Sequence, residues 1–370
     1  MLDKFLIADY NQGSKKRYYD QDKNFYSKHD YQTFLPMIYY RDLLIWKNFP
    51  GQIRGSAISP VEIEKNRQLL IVKGKEFNSP EIKLYPLYES KSLYSQIEAP
   101  DKMFRIDFSI EFIDAKTNKI DKEKSLLFTK ALTEKGFKFP AKEVFGNRSR
   151  KKPFDEGYFI KDSSQKLFHL KMQNGLPFVK DTNIKPDSGI KFIKTEENLR
   201  KEFYGVLFTH SNEIFLISYD NYRLIRLPVE NFNHKNMSFY LSCDLLKRTI
   251  RINNGEYIYT TVTDRDYNLI GFLKVALEKY DKTAEKYSKI IFPVSIETHK
   301  KNSAYIYLDP QYNIEGFFSA FLSVLFLGLF FKFKKIEFKK NYTDFVIVLL
   351  GGVPVLASVL IVSDFCVNNQ

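Results

Sequence analysis

The sequence predicts a mainly β protein of propeller-like or stacked antiparallel β-units, with an α+β N-terminal part and a C-terminal two-helix transmembrane hairpin. Three observations carry this. From Tyr158 to Leu308 short apolar runs follow one another across tight polar turns. Before them, capped helical segments are interspersed with strands. After them, two uncharged apolar runs flank a lysine-rich loop. The expected domains are residues 1–102 (α+β), 103–152 (strand, helix and basic linker), 153–310 (antiparallel β) and 311–370 (the hairpin, with spans near 314–333 and 344–363).

In the first domain, residues 14–26 read as a β-hairpin, with Tyr18, Tyr19, Phe25 and Tyr26 flanking a polar turn. That turn opens like a calcium loop, D-x-D-x-N. Phe25 stands where the sharp-turn Gly belongs and no Glu closes the loop, so a plain turn is expected. Pro36 suits the first turn of a helix with Tyr39, Leu43 and Trp46 on one face, ended by Pro50-Gly51. Ser59-Pro60-Val61-Glu62 combines an N-cap Ser, a Pro at the first position and a Glu placed to close a capping box. A strand-like run follows at Leu69 to Val72.

Strict alternation of Phe104, Ile106, Phe108, Ile110 and Phe112 reads as one half-buried strand. After a turn at Thr117–Lys119, Asp121 caps a helix to about Lys135. Leu127, Phe128, Ala131 and Leu132 form its apolar face and Gly136 ends it. Residues 146–157 read as a polar linker. Its Arg148, Arg150, Lys151 and Lys152 form the densest basic cluster outside the C-terminal loop, either a solvated run or a grip for anionic lipid or phosphate.

Beyond Tyr158 the chain reads as strands through to KIIFPVSIE. Three paired cores, LFHLKMQNGLPFV, IFLISYDNYRLIRL and YIYTTVTDRDYNLIGF, recur at forty-odd residues. Such a period suits four-stranded units. Three are too few to close a ring, so an open stack, a sandwich or a barrel also fits.

The apolar runs Gly316–Phe331 and Phe345–Val362 each approach the roughly 17–25 residues that cross a bilayer. Gly351, Gly352 and Pro354 would weaken a soluble helix but are tolerated in a membrane. Lys332, Lys334, Lys335, Lys339 and Lys340 outnumber Glu337 between the runs, and short basic loops stay cytoplasmic. The large domain is then expected outside the cytoplasmic membrane. The start, MLDKFLIADYNQGSKK, holds only a short apolar scrap from Phe5 to Ala8, so an export signal is expected upstream of Met1; the other reading keeps the domain inside.

A surplus of 13 positive charges admits nucleic acid or anionic membrane as partners. The charge is spread along the chain among abundant Phe, Tyr, Ile and Asn, a compositional bias, and nucleic-acid binding is not expected. Five histidines form no ligand pair, and the two cysteines show no metal spacing. His169 reads as a structural or surface strand residue. No phosphate-binding loop, dinucleotide fingerprint or nucleophile elbow occurs, so no cofactor and no catalytic residue is assigned. Asp264 and Asp266 read as turn carboxylates more than as an acid–base pair.

FIDAKTNKIDKEKSLLFTKAL, GFKFPAKEVFGN, KPFDEGYFIKD and LFHLK, together with RYYDQDKNFY, FLPMIYYRDLL and TDRDYNLIGF, are similar to an uncharacterised bacterial domain-of-unknown-function family of envelope proteins, best known in Bacteroides-type bacteria. The resemblance covers most of residues 5–310. It implies an envelope role beside ABC-type export components, and it brings no catalytic residues. The expected function is a non-catalytic binding or accessory subunit, partnered by the bilayer and by membrane proteins at the hairpin. A membrane-tethered hydrolase of an envelope polymer and a cytoplasm-facing scaffold are the alternatives.

Overall fold

A computed structural model describes residues 4–10, 16–78, 82–92, 97–277, 283–299 and 307–367. It divides into two compact units, Met1–Leu277 and Glu278–Gln370.

The first unit opens with β1 (Leu6–Tyr10) paired antiparallel to β2 (Lys16–Asp20). The hairpin expected over 14–26 is therefore displaced: the apolar scrap at Phe5 to Ala8 supplies the partner strand, and Phe25 forms only an isolated bridge to Tyr19. Asp20 explains why. Its buried carboxylate accepts the N–H groups of Asp22 and Asn24, the Asn24 amide and the Tyr26 hydroxyl. These bonds hold its pKa well below the usual range, led by the Asn24 amide. It organises a turn, and its Oδ2 also meets the Lys4 ammonium at 3.5 Å.

Three helices follow, α1 (Lys28–Thr33), α2 (Pro36–Ile45) and α3 (Pro60–Asn66). The buried face of α2 is Met37, Tyr40 and Leu43, not the expected Tyr39, Leu43 and Trp46. Leu43 is common to both sets; Tyr39 has non-helical angles and is half-buried, and Trp46, just past the helix end, is exposed. In α3 the capping box forms as read: Ser59 Oγ accepts from Glu62 N, and Ser59 N donates to Glu62 Oε2. Next come β3 (Gln68–Val72), α4 (Gly74–Asn78) and β4 (Tyr85–Pro86).

The alternation from Phe104 to Phe112 belongs to a hairpin of β5 (Lys102–Ile106) and β6 (Ile110–Asp114), not to one strand. Ile106 faces Ile110 and Phe104 faces Phe112. An odd-length loop keeps the parity of the pleat, so even-numbered residues on both strands share the buried face. Phe108, at the tip, is exposed. After β7 (Ile120–Asp121), Asp121 caps α5 (Lys122–Glu134), which buries Phe128 and Leu132.

The remaining strands of this unit are β8 (Glu143–Gly146), β9 (Tyr158–Lys161), β10 (Leu167–Gln173), β11 (Leu176–Asp181), β12 (Ile190–Thr195), β13 (Phe203–Thr209), β14 (Ile214–Ser218), β15 (Leu224–Arg226), β16 (Ser238–Cys243), β17 (Arg248–Asn253), β18 (Tyr257–Thr263) and β19 (Leu269–Ala276). Among the described residues they form four serial antiparallel sheets: β4 to β7, β8 to β11, β12 to β15, and β16 to β19 with β3 added beside β16. The three repeated cores in the sequence are the closing hairpins of the last three sheets.

Three apolar cores lie between successive sheets. Phe104, Phe112, Tyr158, Phe168 and α5 fill the first. Phe145, Phe159, Ile193, Leu207 and Ile217 fill the second. Val206, Phe208, Leu216, Phe239 and Ile250 fill the third, with Phe77 of α4. The two middle sheets bury both faces, so β9 and β13 read as nearly continuous apolar runs. The outer sheets bury one face and keep clean alternation, as in β17. Each fully buried Phe or Leu contributes about 1.5–3 kcal/mol. The sheets do not close into a barrel.

The second unit holds α6 (Thr283–Ile291), a pair formed by β20 (Val294–His299) and β21 (Tyr307–Tyr312), and two long helices, α7 (Ile314–Lys334) and α8 (Tyr342–Val367). KIIFPVSIE is thus half helix and half strand, with Pro293 at the junction. The helices α7 and α8 pack through Leu327, Phe331, Val348 and Val359, and α8 breaks at Gly352 (φ 67°) beside Ile291 and Pro293.

Candidate functional site

Two ionic clusters stand out in the first unit. The first is built by the turn between β8 and β9. Gly157 (φ 67°) lets this turn press on β10, where any Cβ would meet the Leu170 carbonyl oxygen at 2.1 Å. The Lys152 ammonium donates to Asp155 Oδ1 (2.5 Å), to Glu197 Oε1 (3.0 Å) and to the Asn147 carbonyl (2.7 Å). Asn147 Nδ2 donates to the second Glu197 oxygen (2.7 Å) and Gly157 N to the second Asp155 oxygen (3.1 Å). All three charged side chains are at most 1% exposed. One cation faces two carboxylates. Burial pushes Asp155 up to about 6, against the pull of Lys152.

Beside it, Glu156 pairs with Lys171 and accepts from the Tyr219 hydroxyl at 2.9 Å. His169 is fully buried, stacked on Phe159 at 4.4 Å. Its Nε2 lies 2.5 Å from the Glu156 carbonyl, which can only accept, so Nε2 carries the proton and Nδ1 accepts from Tyr222 Oη at 2.9 Å. Burial holds the ring neutral, with its pKa down at about 3. Both nitrogens are used and water has no access, so this histidine is neither ligand nor base. The expected structural role of His169 fits this placement.

The second cluster opens on a cleft of about 670 Å³ between the ends of two neighbouring sheets. Its floor is Arg248, 2% exposed, whose Nε and Nη2 donate to Glu202 Oε1 (3.0 Å) and Oε2 (2.9 Å). Arg248 Nη1 donates to the Asp244 and Lys247 carbonyls. Arg200 also pairs with Glu202, and the Tyr267 hydroxyl donates to the same carboxylate. Burial, then the neighbouring Arg248 charge, lower the Arg200 pKa. Tyr267 reaches this position from a left-handed backbone (φ 68°), a conformation that disfavours a bulky side chain. Here two cations share one carboxylate. Arg223, Arg265 and Asp266 complete the rim, with Ser218 and Ile225.

The basic run read from the sequence is split. Lys152 lies inside the first cluster. Arg148 donates to the Ile82 carbonyl at 2.9 Å and lies 4.4 Å over the Tyr85 ring. Arg150 and Lys151 are exposed. The 146–157 segment is therefore not simply a solvated linker. Lys332 and Lys334 occupy the last turn of α7, Lys335 caps it, and Lys339 and Lys340 sit in a 3₁₀ turn; all are exposed, where cations complement a helix C-terminus. Asp264 is consumed by its own turn, accepting from Asp266 N, Asn268 N and Asn268 Nδ2, so Asp264 and Asp266 do not form an acid–base pair. Cys243 is buried and its thiol is pushed up to about 11, which keeps it unreactive. The side chain of Cys366 lies outside the described residues. Among those residues no group of three potential metal ligands occurs.

Sequence reading missed Asp155, Glu197, Arg200, Glu202 and Arg248. One signal was present: Arg248 takes the inward phase of a strand whose other inward residues are Ile250 and Ile252. A charge in that phase demands a partner.

No curated protein matches this chain. A family model described as "Domain of unknown function (DUF4857)" matches residues 1–263, the greater part of the chain and nearly all of the β-rich unit, and the chain belongs to that family.

Proposed function

We propose that this chain is a membrane-anchored bacterial envelope protein. Its β-rich unit binds a ligand or partner without catalysis, as an accessory subunit of a membrane complex, with ABC-type transport as the leading setting. The observation that carries the reading is the pair α7 and α8. Their apolar spans have mean hydropathy 2.0 and 2.8, yet only 28% and 17% of each is buried within the protein. A helix of a soluble core would be mostly covered. Here Phe318, Phe321, Leu325, Phe326, Leu329 and Leu350 face outward, and a bilayer is the medium that accepts them.

The non-catalytic part rests on the first unit. Among the described residues, Lys152, Asp155 and Glu197 are occupied by one another, and the cleft at Arg248 is lined by arginines and carboxylates with no histidine, cysteine or lysine. The serial four-stranded sheets support a propeller-like but open array. The basic loop supports a cytoplasmic hairpin turn in the inner membrane, with the β-rich unit outside. Arg150 and Lys151 are the part of the basic run free to meet lipid headgroups.

Cysteine labelling in intact cells tests the topology. Single cysteines replace Asn341 in the loop and Asn233 in the β-rich unit, in a background lacking Cys366. Labelling at residue 233 alone is the expected result. Labelling at 341 alone would place the unit in the cytoplasm and overturn the extracytoplasmic reading. Extraction of the full chain by carbonate without detergent would overturn the anchor itself.

A further inference from the structure

We infer that the Arg223–Arg248–Arg265 cleft binds a phosphoryl group carried by a small molecule. This deepens the binding reading above but does not depend on the membrane anchor. The floor holds the Arg248 guanidinium and the Glu202 carboxylate, and Arg200, which does not itself line the cleft, pairs with the same carboxylate. Burial makes an uncompensated positive charge costly, and the cleft is where a counter-charge can enter. Arg265 makes no ion pair among the described residues, and Arg223 has only an exposed contact with Asp220 at 3.5 Å. Both line the same space from different sheets: Arg223 from the β14–β15 turn and Arg265 from the β18–β19 turn.

That arrangement distinguishes between oxyanions. One guanidinium fork saturates a planar carboxylate. A tetrahedral phosphoryl group offers oxygens in several directions and uses two rim forks with a positive floor beneath. The cleft falls in the range of small-ligand sites, about 300–1,000 Å³, so it accommodates more than a bare ion. Asp266 is the opposing charge on the rim. It limits how much anionic charge the site accepts.

The test is calorimetric titration of the full chain in phosphatidylcholine nanodiscs, once with inorganic pyrophosphate and once with short-chain phosphatidic acid below its micelle concentration. Wild type is expected to bind at least one of them. Binding of pyrophosphate alone marks a soluble phosphate ester as the natural source. Preference for the lipid marks a headgroup. Arg223→Ser with Arg265→Ser, both at the surface and not needed for folding, should weaken binding by about tenfold or more. Arg150→Ser with Lys151→Ser should leave it unchanged, and Asp266→Asn should tighten it. Absence of binding to either compound overturns the inference. So does equal weakening by the two arginine and lysine pairs, which would mean diffuse surface charge. Should the chain prove soluble without nanodiscs, the same titration runs in buffer, so failure of the anchor and failure of the site are separate results.

Discussion

The two ionic clusters of the β-rich unit carry opposite imbalances and resolve them differently. Lys152 faces Asp155 and Glu197 in a sealed site, one cation for two carboxylates. Arg200 and Arg248 both pair with Glu202, two cations for one carboxylate, and Arg248 and Glu202 line an open cleft. In the sealed site the surplus negative charge is relieved from within, by a proton held on Asp155 up to about pH 6. Guanidinium groups cannot give up their protons near neutral pH. The open site faces solvent, so water or salt can reach its cations. The buried charge is therefore closed to solvent in one place and open to it in the other, and the clusters differ in which side is in excess.

The sharpest way to break this comparison is to remove the minority charge from each cluster. Lys152→Met leaves two carboxylates buried without a cation and should destabilise the chain by about 3–5 kcal/mol, read from unfolding at neutral pH. Salt should not restore it, because no ion can enter. Glu202→Gln leaves two guanidinium groups without their carboxylate. Since the cleft admits water, the loss should be smaller, about 1–3 kcal/mol, and added sulfate or phosphate should recover part of it. If salt rescues both variants or neither, the sealed and open descriptions are wrong.

A second test uses pH. Asp155 has a folded pKa of about 6 against an ordinary 3.8. Its folded form holds the proton more tightly, so this group lowers stability as pH rises from about 4 to about 6. His169 acts in the opposite sense. At about 3 against 6.5, its stabilisation is complete above 6.5 and is lost as pH falls toward 3. In the overlap the two slopes oppose each other, each about 1.4 kcal/mol per pH unit. Asp155→Asn should therefore make stability rise with pH between about 4 and 6 relative to wild type, and His169→Gln should make it fall. Unfolding midpoints at a few pH values across that window decide it. Parallel profiles for the three proteins would show that neither proton is bound as described.

These clusters also mark where the sequence was legible. Local signals read well: the Ser59–Glu62 capping box, the Asp121 cap and the Gly136 stop sit where their chemistry placed them. The repeated hairpins at forty-odd residues did mark the closing strands of successive sheets. Parity misled at Phe104–Phe112, because a hairpin with an odd loop alternates like one strand. Pairing at long range was illegible: nothing in QLLIV says that β3 joins β16, on the far side of some 170 residues. The ionic clusters failed for the same reason. Lys152 and Glu197, or Glu202 and Arg248, lie more than forty residues apart, and apart from Arg248, whose inward strand phase was a signal, each looks like an ordinary surface charge until the sheets stack.

The smallest expected effect is the most specific to this fold. Arg148, Arg150, Lys151 and Lys152 form one basic run, and composition treats them alike. Their surroundings separate them: Arg150 and Lys151 are exposed, while the Lys152 side chain is 1% exposed and bound to Asp155 and Glu197. Arg150→Ala and Lys151→Ala should leave the unfolding midpoint where it is, because an exposed cation loses only screened interactions. Lys152→Ala, one position further, removes a whole ion triad. A graded decline across the three substitutions would mean that the run acts through its summed charge. A step at Lys152 alone would mean that the turn places that one ammonium inside, and that the other two remain free for whatever the surface meets.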